Sequence, residues 1–198
     1  MIRLLVLLLG LSAGALQAEV YPALHAVDGV AADDVLNIRA APDAGADIIG
    51  TLASDATGVE VISVTDGWAL VNTGEGSGYA ALRFLARQVG PDWHALAQPM
   101  ACFGTEPFWS LTLDPVAGVA IYTTPEVVEA QPGPIGQSWP GTVQTPTAAL
   151  ALPQGLAVLR PADCSDGMSD RRFGIAIDIF QLQGDGQRLS GCCALANP

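Results

Sequence analysis

Val35-Leu36-Asn37-Ile38-Arg39-Ala40-Ala41-Pro42 is the stretch on which the reading of this 198-residue chain turns. Leu36, Ile38 and Ala40 alternate with Asn37, Arg39 and Ala41, and a period of two over such a run predicts a half-buried strand. Pro42 has no N–H to give to a ladder, so the strand ends there or lies at an edge. Asp43-Ala44-Gly45-Ala46 reads as a turn, with Gly45 free to take a positive φ. Residues 47–52 start a second strand around Ile48 and Ile49, and the β-branched run Val59-Glu60-Val61-Ile62-Ser63-Val64 makes a third. Asp66-Gly67 is a hairpin signal from which Trp68-Ala69-Leu70-Val71 returns. A glycine-rich turn over 72–78 precedes a last short strand, Tyr79-Ala80-Ala81-Leu82.

Five of these pieces resemble the bacterial Src-homology-3-like family in order and spacing: Leu36-Asn37-Ile38-Arg39-Ala40-Ala41-Pro42, Ile49-Gly50-Thr51-Leu52, Val59-Glu60-Val61-Ile62, Asp66-Gly67-Trp68-Ala69-Leu70-Val71, and Gly78-Tyr79-Ala80 with Leu85 beyond. The resemblance spans residues 22–87. It implies a small five-stranded barrel and a binding rather than catalytic role, often toward cell-wall peptides. Trp68 and Tyr79, with Asn37 and Arg39, are the candidate ligand-binding residues. The two aromatics either line a shallow groove of the kind that receives extended peptides or close the small barrel's core.

The chain opens with Met1-Ile2-Arg3, an apolar run over 4–11 and a small-residue segment over 12–18. A charged start, a short apolar stretch and a small-residue end predict a cleaved signal peptide over 1–18, with Ala15 the alternative cleavage point. The apolar run is too short to span a bilayer as a helix, so no stable membrane insertion is expected after cleavage. No cysteine follows it that would carry a lipid anchor. The expected location is periplasmic or secreted.

The chain has eight basic side chains, all Arg, against 20 acidic ones. Losing Arg3 with the leader leaves a net charge of −13. Such a balance argues against nucleic acid and against docking on anionic lipid, and it favours solubility and cationic partners.

Gly90-Pro91 breaks structure, and 88–100 reads as a linker in which Asp92 caps a short helical turn. His94 in this linker and His25 near the first strand are isolated, surface or core residues without metal-ligand spacing. From residue 101 the texture changes. Ser110-Leu111-Thr112-Leu113, Val119-Ala120-Ile121-Tyr122, a hairpin around Pro153-Gln154-Gly155, the alternating Ile175, Ile177 and Ile179, and a last run over 189–194 all read as strands. Phe108 and Trp109 read as core. Residues 125–146, rich in Pro, Gly and Gln, read as a long loop, and Gly184-Asp185-Gly186 as a turn. No long helical period appears. The expectation is an all-β protein: an SH3-like barrel, then a disulfide-bonded antiparallel β-barrel or sandwich over 101–198.

Cys102-x-Gly104-x-Glu106-Pro107-Phe108-Trp109, Cys164-Ser165-Asp166-Gly167-Met168-Ser169-Asp170 and Gly191-Cys192-Cys193 together resemble a family of bacterial envelope proteins with no established activity. That resemblance, over 100–195, implies a β fold and an envelope location, and it assigns no site.

All four cysteines, Cys102, Cys164, Cys192 and Cys193, lie in this second segment, and an even count in an exported chain reads as two disulfides. Cys192 and Cys193 point to opposite faces of a strand, so each can tie it to a different element, one to Cys102 and one to Cys164. Which takes which is open. Long closures of this kind contribute about 4 kcal/mol each in the chain-entropy model. A thiol-redox or metal centre would want C-x-x-C spacing or accompanying histidines, and neither is present.

Glu106, Asp166 and Asp170 gather only if the cysteines draw their loops together; otherwise they are caps and turn acceptors screened by Arg171 or Arg172. No Ser-His-Asp or Cys-His set and no phosphate-cradling loop is present. The sequence therefore predicts no catalytic residue, no cofactor and no metal. It predicts an exported, non-enzymatic envelope protein that binds a peptidoglycan peptide or a protein segment. The alternative is an accessory or inhibitor protein of a wall hydrolase. Titration of the denatured, unreduced protein with a thiol reagent should find essentially no free thiol; two reactive thiols would return the cysteines to a redox or metal role.

Overall fold

The computed structural model describes residues 19–74, 76–127, 129–182 and 186–195. The expected signal peptide lies outside them, as does most of the Gly184-Asp185-Gly186 turn. Among the described residues the chain is all-β, in two antiparallel sheets, with two short 3-10 turns at Leu82–Phe84 and Trp93–Ala95. No helix among them is long and apolar enough to cross a membrane.

The first sheet holds β1 (Ala23–Val27), β2 (Val35–Arg39), β3 (Ile48–Ala53), β4 (Val59–Thr65), β5 (Trp68–Asn72), β6 (Ser77–Ala81) and β7 (Leu85–Arg87). Its order is β3-β2-β6-β5-β4-β1-β7. The five expected strands are β2 to β6, and β1 and β7 extend the sheet beyond β4. β1 was not legible because its inward position is His25, whose polarity breaks the apolar alternation; the ring is 1% exposed and its Nδ1 lies 3.0 Å from the Ala23 carbonyl oxygen. Burial depresses its pKa below the ordinary histidine value, since the charged form is the one desolvation penalises. The hairpin at Asp66-Gly67 is as expected: both residues take positive φ, 48° and 79°, which twists Thr65 opposite Trp68. Gly45 does not follow its expectation. It has no positive φ, and its N–H is instead held by Asp43 Oδ1 at 2.6 Å, an Asx-type turn that needs no left-handed residue. Gly78 earns its place by space: a Cβ there would press on Ile38, Ile49 and the Arg39 carbonyl.

The second sheet holds β8 (Met100–Thr105), β9 (Phe108–Asp114), β10 (Val119–Thr123), β11 (Pro132–Pro134), β12 (Ser138–Trp139), β13 (Ala148–Leu152), β14 (Gly155–Cys164), β15 (Phe173–Gln181) and β16 (Arg188–Ala194). The order β11-β10-β9-β8-β16-β15-β14-β13-β12 is two meanders joined by β8 against β16. The sheet curls into a half-barrel around one core that includes Leu111, Leu113, Leu150, Leu159, Ile175 and Ile177. The expected long loop is more ordered than its composition suggests. Ile135 N–H donates to the Gly118 carbonyl at 2.9 Å and Gly136 N–H to the Ala151 carbonyl at 2.8 Å, so the strap between β11 and β12 ties the two ends of the curled sheet.

Three side chains of the 88–100 segment enter this core: Trp93, wholly buried, Leu96 and Met100. The Trp93–Ala95 turn is present, but Asp92 does not cap it. Its carboxylate pairs instead with Arg87 at 2.6 Å, a charged partner that outcompetes a neutral N–H. His94 is buried behind it. Phe108 is also corrected. Alternation along β9 sends Trp109 inward and leaves Phe108 52% exposed.

The disulfides are Cys102–Cys193 and Cys164–Cys192. Cys193 lies directly opposite Cys102 across β8 and β16 and faces the main core. Cys192, on the other face, joins Cys164 beside Phe103 and Phe173. Closures of 91 and 28 residues contribute about 4–5 and 3–4 kcal/mol in the chain-entropy model. Beside the first disulfide, the Trp109 indole covers Gly104 on β8 and Gly191 on β16. A Cβ on Gly104 would fall below 3.0 Å from the indole and from the Ser190 carbonyl; one on Gly191 would do the same with the indole and the Phe103 carbonyl. Gly104→Ala should therefore lower stability by about 3 kcal/mol, because two of its neighbours are backbone or a locked ring. Gly90→Ala, whose Cβ would meet nothing, should be silent in the same urea titration.

Candidate functional site

The outer face of β2, β6 and β5 carries the candidate residues. Leu36, Ile38, Ala69, Val71 and Ala80 point into the first sheet's core, and alternation turns Asn37, Arg39, Trp68, Leu70 and Tyr79 the other way. Arg39 stands opposite Tyr79, Leu70 opposite Tyr79, and Trp68 opposite Ala81. Trp68 and Tyr79 are thus half-buried outside the core, which Val27, Leu36, Ile38, Val61 and Leu85 fill without them.

The face divides between two concavities. One, of about 280 Å³, brings Asn37, Arg39 and Trp68 together with Val30, Arg83 and Phe84. The Arg39 guanidinium is positioned by its Nη1–H, which donates to the Ala46 carbonyl at 2.7 Å. Arg83 lies with its Cζ 4.6 Å from the Phe84 ring centre, a cation–π placement. Tyr79 does not join this group. It lines a second concavity of about 690 Å³, between the sheets, with Tyr21 and Leu70 on one side and Pro161, Arg172 and Phe173 on the other. The Tyr21 hydroxyl donates to Glu19, and burial together with that bond pushes its pKa up to about 12.

The second sheet's loop after Cys164 sets the edge of this larger concavity. Asn72 Nδ2 donates to the Arg172 carbonyl at 2.9 Å, Arg172 N–H donates to Ser77 Oγ at 2.8 Å, and Asp170 bridges to Gly76. The Arg172 guanidinium pairs with Asp163. Nothing in the local sequence signals these contacts, which join residues about a hundred positions apart.

The three carboxylates do not gather. Asp166 Oδ1 accepts from Met168 N–H at 3.0 Å and Ser169 N–H at 2.9 Å, which is turn chemistry. Partial desolvation raises its pKa, but the bonds from Ser169 and Met168 outweigh this and hold it below the ordinary aspartate value. Asp170 faces the inter-sheet concavity, and Glu106 is exposed at the β8–β9 turn. Among the described residues no group of three His, Cys, Asp or Glu side chains is placed to hold a metal ion. His94 Nε2 has Asp92 at 3.6 Å, and both histidines are buried.

Sequence reasoning missed Arg83 and Phe84, which lie within the 22–87 segment just beyond its last expected strand. The available signal was a cation beside an aromatic immediately after a strand whose alternate residues face outward.

Residues 34–86 match the family model described as the bacterial SH3 domain, a binding module. The match includes Asn37, Arg39, Trp68, Tyr79, Arg83 and Phe84. No curated protein and no solved structure matches the chain.

A half-buried outer residue leaves a smaller gap than a core residue when truncated. Trp68→Ala should cost about 1–2 kcal/mol in urea unfolding, below the 3–5 typical of a fully buried tryptophan. A loss in the larger range would place the ring in the core.

Proposed function

We propose that the chain is an exported bacterial envelope protein whose SH3-like module binds a cell-wall peptide or a protein segment. The module is the segment 22–87, the residues 88–100 connect it, and 101–198 forms a disulfide-bonded partner domain. The carrying observation is the concavity that assembles Asn37, Arg39 and Trp68 inside a segment similar to bacterial SH3 domains. A solvent-facing aromatic flanked by an amide and an oriented guanidinium can stack on, and hydrogen-bond to, an extended peptide. Tyr79 contributes from the neighbouring concavity on the same face.

Two disulfides fit an oxidising compartment, in keeping with the leader-like start at residues 1–18 and with the envelope-family motifs over 100–195. The module's role is binding, and the buried histidines give the face no acid–base pair. An accessory or inhibitor of a wall hydrolase would use the second domain and would not need the wall itself.

Sedimentation with purified peptidoglycan tests the reading: the chain should pellet with the wall. Trp68→Phe, which keeps most of the apolar surface but loses the indole N–H, should remain folded by circular dichroism and pellet several-fold less. Wild type that stays in the supernatant removes the wall ligand. Unchanged pelleting of a folded Trp68→Phe removes Trp68 from the site.

A further inference from the structure

The charge distribution of the described residues singles out the Trp68 concavity. The chain is strongly acidic, with a formal charge of −12, so a guanidinium without a carboxylate partner is the exception to account for. Arg87 pairs with Asp92, Arg172 with Asp163, and Arg160 and Arg188 both with Asp178. Arg39, Arg83 and Arg171 make no ion pair among the described residues; Arg171 lies over the Phe173 ring and is the lone arginine of a different concavity, whereas Arg39 and Arg83 line the same one. The carboxylate lining it with them belongs to Asp34, whose Oδ1 is turned to the backbone N–H of Val35 at 2.8 Å.

Both guanidinia are held in place. Arg39 uses one N–H on the Ala46 carbonyl, and a guanidinium carries five, so it retains donors for a ligand. Arg83 lies over Phe84, which supports the cation without using its donors. The Trp68 ring and the Val30 and Phe84 side chains supply apolar surface beside them. Two forked donors next to an aromatic wall are matched to a planar anion on a short apolar stem.

We infer that Arg39 and Arg83 are a carboxylate clamp, and that the ligand of this concavity is a short peptide with a free carboxylate, its adjoining side chain packed on Trp68. The inference rests on the wall-peptide reading for the source of the peptide and on the charge geometry for its chemistry. Recognition is local: the overall field of the chain repels anions, so the clamp selects peptides by close contact and not by long-range steering.

Calorimetric titration of the full chain decides it with three probes: a peptidoglycan stem tetrapeptide with free carboxyl groups, the same peptide amidated, and an unrelated tetrapeptide with a free C-terminal carboxylate. Wild type should bind the free acid at least tenfold more tightly than the amide, the size expected of a charge-assisted pair. Arg83→Gln should weaken the free acid by about tenfold and erase its preference over the amide. Arg83 is exposed, so this variant should fold; Arg39→Gln, checked by circular dichroism, should repeat the effect. Equal binding of acid and amide by wild type overturns the clamp and leaves the wall reading intact. A folded Arg83→Gln that retains the preference does the same. Binding of the unrelated acid but not of the stem peptide supports the clamp and removes the wall as its source. Binding of none of the three overturns both.

Discussion

The pairing of β8 with β16 is the constraint on which the larger half of the molecule depends. It joins two meanders that are each complete without it, and it rests on only three opposed residue pairs. One of these pairs is Cys102 with Cys193. The short ladder is reinforced on its core face by Trp109, whose ring crosses from Gly104 to Gly191 because neither residue carries a Cβ. Covalent closure, close backbone approach and one aromatic thus act at a single seam. Without it the core inside the curled sheet would open along its middle.

The neighbouring Cys192 works on the opposite face. Its bond to Cys164 anchors the end of β14, from which the loop to β15 departs toward the first sheet. That loop is internally braced by Asp166 and ends at Asp170 and Arg172, whose backbone meets Gly76, Ser77 and Asn72. Two adjacent cysteines on one strand therefore serve the barrel's seam and the base of the inter-sheet contact. The two sheets share a surface through this loop, and Tyr79 is drawn into that surface and away from Trp68.

The outer face of the first sheet is then divided by its neighbours. On one side the second sheet's loop walls off a large mixed concavity. On the other, the segment around Val30 and the turn carrying Arg83 and Phe84 fold over β2 and β5 to make a smaller one. The smaller has the sharper chemistry, since two guanidinia that make no ion pair among the described residues are a concentrated local charge in an acidic chain. The larger is polar at its rim and already occupied in part by the chain's own Arg172–Asp163 pair.

The amino-acid order by itself determined what is local. The period-two runs of β2 and β15, the β-branched run of β4, the Asp66-Gly67 hairpin and its return in β5, the inward or outward sense of Asn37, Arg39 and Ile38, and the opposed directions of Cys192 and Cys193 all follow from backbone geometry over a few residues. An even cysteine count was enough for two disulfides but not for their pairing. Tertiary structure decided what depends on curvature and long-range register: Cys102 with Cys193, Trp93 inside the second core, Phe108 outside it, and β1 recruited beside β4 despite a buried histidine. It also decided the candidate site. Alternation places Trp68 and Tyr79 on one face, but which concavity each lines depends on loops that arrive from distant positions. Arg83 and Phe84 enter only because a 3-10 turn carries them back over β2. A side chain's face is encoded by its immediate neighbours, whereas its companions are set by how a twisted sheet closes.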